Sequence, residues 1–75
     1  MTIDQLKALA GDQPFRPFVL ETIGGNRIGV PSAGAIVFPP PELPYKFDLI
    51  FIYASDGLVH HITAEGINSY AFAST

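Results

Sequence analysis

Apolar residues recur along this chain with two periods. Near the start, Ile3, Leu6, Leu9 and Ala10 fall on one stripe of a 3.6-residue helix. Thr2-Ile3-Asp4-Gln5 has the form of a capping box, in which Thr2 accepts from the amide three residues on and Gln5 reaches back. Asp4 suits the positive end of the helix dipole, and Gly11 supplies a stop. The pattern predicts a helix over 3–10, too short to persist alone and therefore docked on a sheet.

Beyond Gly11 the period falls to two. Runs rich in β-branched and aromatic residues, separated by turn formers, predict strands at about 18–23, 27–30, 35–38, 47–55, 58–64 and 67–73. The organising stretch is Phe47 to Ala64, in which two such runs flank Asp56-Gly57. Read as a two-residue type I′ turn, this dipeptide sets Tyr53 opposite His60, Phe51 opposite Ile62 and Leu49 opposite Ala64. Both faces of 47–54 are apolar, with Phe47, Leu49, Phe51 and Tyr53 on one and Ile50, Ile52 and Ala54 on the other. A strand wetted on one side would alternate with polar residues, so this one is expected to be covered on both. The second cover is the helix, the segment 39–46 or another copy of the chain. Gly24-Gly25-Asn26 predicts the turn of an earlier hairpin, and Pro39-Pro40-Pro41-Glu42-Leu43-Pro44 a stiff polyproline loop. No internal repeat is visible. The expected fold is mainly β, with one short N-terminal helix packed on a small, strongly bent antiparallel sheet or an SH3-like or Sm-like barrel. Leu6, Leu9, Phe18, Leu20, Ile28, Leu49, Phe51, Ile62 and Ile67 are its expected core.

Composition sharpens this picture. Seventy-five residues make one domain, 1–75, with a small stability margin. There are no cysteines, so neither disulfides nor thiolate metal sites reinforce it. Hydrophobic residues make up 48% and charged residues 15%, a surplus that one small core cannot hide. Contiguous apolar surface usually marks an interface, so a homo-oligomer or a protein partner is expected. Net charge is −3, and the four basic residues Lys7, Arg16, Arg27 and Lys46 are scattered. Nucleic-acid binders normally carry a basic stripe, which argues against such a partner. The first ten residues carry Asp4 and Lys7 inside the apolar pattern, unlike a signal peptide, and no run is long enough to span a bilayer. The expected compartment is the cytoplasm.

Pro14-Phe15-Arg16-Pro17-Phe18, set between the short helix and a glycine-closed hairpin, resembles a family of short bacterial proteins sharing a PFRPF lead-in and a closing apolar hairpin. The proline-rich segment within 31–46 departs from that pattern. The resemblance implies the fold and brings no catalytic residues. A helix followed by short strands is also similar in architecture to Sm-like and SH3-like barrels. Some Sm-like proteins form rings and bind RNA, an analogy that reaches the fold only.

The chemistry-bearing residues form no catalytic motif. His60 and His61 are adjacent on a strand and point to opposite faces, so they cannot both ligate one metal. No cofactor or metal is expected, and no carboxylate pair or activated nucleophile marks an enzyme. A histidine on an apolar interface would act as a pH switch. Tyr45, Ile50, Ile52, His61, Tyr70 and Phe72 are the candidate interface residues, the aromatics being those the core does not need. The alternative function is an Sm-like RNA-binding protein that uses Arg16, Arg27 and Lys46.

Overall fold

The computed structural model describes residues 1–40 and 49–73. Its first element, helix α1 (Ile3–Ala10), is capped at both ends as its residues dictate. The Gln5 amide donates to Thr2 Oγ1 at 3.2 Å, and the Thr2 amide donates to Gln5 Oε1 at 2.8 Å. These bonds satisfy two of the donors that every helix start leaves open. Leu6 and Leu9 are buried in the common core, and the Met1 nitrogen donates to the Ile67 carbonyl at 2.7 Å. Tertiary packing therefore holds a helix that its length could not.

Six strands follow: β1 (Phe18–Thr22), β2 (Arg27–Val30), β3 (Ile36–Val37), β4 (Leu49–Tyr53), β5 (Val59–Thr63) and β6 (Ile67–Phe72). They form two antiparallel sheets, ordered β2-β1-β6 and β3-β4-β5, rather than one closed barrel. Two 3₁₀ turns, Ala33–Ala35 and Ala64–Gly66, precede β3 and β6. The first takes up the start of the strand predicted at 35–38, which shortens to two residues.

Chain order reveals a plan that the amino-acid pattern conceals. Hairpin, 3₁₀ turn and strand occur twice, as β1-β2-β3 and as β4-β5-β6. Each third strand crosses to the other unit's hairpin, β6 pairing with β1 and β3 with β4. Phe18 and Leu20 in the first unit and Ile50 and Ile52 in the second supply the matching buried positions. The two units thus bury one another's inner faces, which is how so short a chain makes one core.

Both hairpins close in the same way. In each, a type I turn is followed by a glycine with positive φ, Gly25 at 87° and Gly57 at 86°. The Gly57 amide donates to the Ala54 carbonyl and the Ala54 amide to the Leu58 carbonyl, leaving a three-residue loop of Ser55, Asp56 and Gly57. The first hairpin repeats this with Thr22, Gly25 and Asn26, so its loop is Ile23-Gly24-Gly25. A two-residue turn with positive φ at Asp56 does not form. Asp56 Oδ1 instead accepts from the Leu58 amide at 2.8 Å, and only the glycine carries the left-handed conformation.

That difference shifts the predicted register by one residue. Tyr53 pairs with Val59, Phe51 with His61 and Ile50 with Ile62. Because side chains alternate, a one-residue slip exchanges the faces. Ile50 and Ile52 are 0% exposed in the core, which corrects their expected place on an interface. Leu49 and Phe51, expected in the core, lie on the opposite face at 36% and 37% exposure. The remaining expected core residues hold their places, Ile62 being half-buried, and Val30, Ala35, Ile36, Ala54 and Ala64 join them. Among the described residues, no helix is long and apolar enough to cross a membrane.

Candidate interaction face

The outer face of the β3-β4-β5 sheet carries Val37, Leu49, Phe51, Tyr53, Val59, His61 and Thr63. Pairing across the strands sets Val37 and His61 on either side of Phe51, and Val59 beside Tyr53. His61 meets the Phe51 ring edge-on, with ring centroids 4.7 Å apart. Tyr53 is 56% exposed, Val59 48% and Val37 42%. No Asp, Glu, Lys or Arg projects from this face among the described residues. At about 150–250 Å² for a large side chain, the exposed fractions of Val37, Leu49, Phe51, Tyr53 and Val59 add to about 300–550 Å². That lies within the range of the largest patch on a typical monomer, about 300–600 Å², which is often functional.

The helix does not cover this surface. Leu6 and Leu9 belong to the core with Ile50 and Ile52, on the other side of β4. Of the covers anticipated for the two-faced strand, the helix takes the inner side, and the segment at 41–46 lies outside the described residues.

The candidate residues scatter over several surroundings. His61 is exposed on the outer face. Tyr70 and Phe72 belong to the other sheet, beside α1, their rings edge to face at 5.7 Å. Tyr45 and Lys46 lie outside the described residues. Arg16 stacks over the Phe72 ring, 3.7 Å from its centre, and Arg27 approaches Glu21 at 3.7 Å. The PFRPF lead-in therefore has structural work in this fold. Phe15 packs against Phe18 at 5.9 Å, Arg16 covers Phe72, and the Pro17 carbonyl accepts from the Ala73 amide at 2.9 Å. Together they clasp β1 to β6.

His60 faces away from this surface at the hairpin end, with Nε2 3.1 Å from Asp56 Oδ2. The Leu58 amide, and after it His60, hold the Asp56 carboxyl below its usual pKa. No three His, Cys, Asp or Glu side chains gather at one point among the described residues. The exposed aromatic row Phe51–Tyr53 escaped the sequence reading because of the turn type. Asp-Gly is compatible with both a two-residue turn and a three-residue loop, and only the latter sets the observed outer face. Comparison with protein-family models, curated proteins and solved structures finds no match to the chain.

Proposed function

We propose that this protein is a non-enzymatic interaction module that self-associates, using the outer face of β3-β4-β5 as its contact surface. The observation that carries this reading is the continuous, uncharged apolar row Val37, Phe51, Tyr53 and Val59 on a sheet whose other side already fills the core. Two sheets pack face to face at about 10 Å when apolar side chains alternate outward, as here. A second copy brings an identical uncharged surface, so pairing buries no unpaired ion. Two copies together cover about 600–1,100 Å², the size of a weak, transient contact. The contact is accordingly concentration-dependent rather than permanent. Of the residues on which an RNA-binding reading would rest, Arg16 stacks on Phe72, Arg27 lies 3.7 Å from Glu21, and Lys46 lies outside the described residues.

The test compares the solution mass of Phe51→Glu with that of Ala33→Glu, a control charge at an exposed 3₁₀ position, by light scattering. The wild type and Ala33→Glu should associate with rising concentration, while Phe51→Glu should weaken that association at least tenfold. Equal association of all three proteins would remove the face from the function.

A further inference from the structure

We infer that the edge of β5 is a second, separate contact, which accepts the β5 strand of another copy in antiparallel register centred on His61. The hairpin geometry decides which backbone groups face outward. The Ala54 amide donates to the Leu58 carbonyl, and bonded pairs alternate along an antiparallel ladder. Ile52–His60 and Ile50–Ile62 are therefore the bonded pairs of β4 and β5. The amides of Val59, His61 and Thr63 then point away from β4, and among the described residues none has a hydrogen-bond partner.

Each of the other three sheet edges carries a device that disfavours strand addition. β3 has two residues and runs into Phe38-Pro39-Pro40. β2 carries Arg27, and its Gly29 carbonyl accepts from the Ser55 amide at 3.1 Å, so the second hairpin's tip covers that edge. Gly29 permits the approach, since a Cβ there would collide with Ser55 Oγ. β6 shifts register against β1 between Glu21 and Thr22, and the Met1 nitrogen occupies the Ile67 carbonyl. β5 has no charge, no proline and no bulge over Val59–Thr63.

The occupant follows from the symmetry of this edge. A twofold pairing about His61 lets the two His61 residues exchange both hydrogen bonds and sets Val59 opposite Thr63 of the other copy. The same short segment satisfies both sides, as an isologous contact requires. The edge strand is free of Asp, Glu, Lys and Arg, so two copies bring no carboxylate, ammonium or guanidinium groups together. This contact does not rest on the face described above, because it uses main-chain groups at the sheet's rim.

Amide hydrogen exchange, resolved by residue over a concentration series, tests the inference on the wild type and on Phe51→Glu. His60 and Ile62 amides should be protected at every concentration, since β4 binds them. Val59, His61 and Thr63 amides should exchange rapidly when dilute and gain at least tenfold protection when concentrated, in both proteins. His61→Lys, which places a charge at the centre of the edge, should abolish that gain. If the three amides stay rapid at all concentrations, the edge contact is refuted. Association of the wild type without their protection would leave the face reading standing alone.

Discussion

Exchanging Ile50 and Phe51 for threonine, one at a time, tests which side of β4 builds the core. Threonine, isoleucine and phenylalanine all favour strands, so the comparison reports burial rather than strand propensity. Ile50 is fully buried. Ile50→Thr removes about two carbon groups from the core, at about 0.8 kcal/mol each. It also buries a hydroxyl, which costs about 1–3 kcal/mol when unpaired. A loss of about 3 kcal/mol is a large share of the roughly 4–11 kcal/mol expected of a domain this size. Phe51→Thr removes a cross-strand contact worth about 0.2–1 kcal/mol on a face already open to water. At about 4–8 °C per kcal/mol, Ile50→Thr should lower Tm by about 12–24 °C and Phe51→Thr by less than about 8 °C. Thermal melts by circular dichroism, at dilutions where copies do not associate, read both. An equal or larger loss for Phe51→Thr would mean that the faces of β4 are reversed.

Gly57→Ala places a side chain at φ 86° and should destabilise by about 1–2 kcal/mol, read from the urea midpoint. Gly25→Ala should do the same, because its turn repeats the geometry. The Asp56 carboxyl is held below its usual pKa by the Leu58 amide and by His60, so its ionised form favours the folded state. That contribution is complete above the unfolded carboxyl pKa and disappears as pH falls through the lowered folded one. Asp56→Asn should therefore flatten the acid limb of a stability–pH profile, and an unchanged limb would refute the assignment. Arg16→Ala should lower stability by about 0.5–1 kcal/mol through the lost stacking on Phe72, with Arg16→Lys restoring only part of it.

Local signals in the sequence were legible because local chemistry decides them. Thr2 and Gln5 announce the helix start through bonds made within one turn, and the positions of both hairpins follow from their glycines. The face of β4 was not legible, since Leu49, Phe51 and Tyr53 are as apolar as Ile50 and Ile52. Hydrophobic alternation therefore gave no direction, and the turn alone had to set the register. Asp-Gly fits both a two-residue turn and a three-residue loop with glycine in the left-handed position. The Asp56–Leu58 bond and the Ala54–Leu58 closure select the latter. Crossing of β3 and β6 between the two units depends on contacts remote in sequence, which no local pattern encodes. His61 meets an apolar partner in either register, Phe51 in the observed pairing and Ile52 with a two-residue turn.

Sedimentation equilibrium of the wild-type chain over a wide concentration range tests self-association most directly. Average mass should rise with concentration from the 8.1 kDa monomer. A mass fixed at the monomer value up to millimolar concentration would contradict a contact surface made for a second copy.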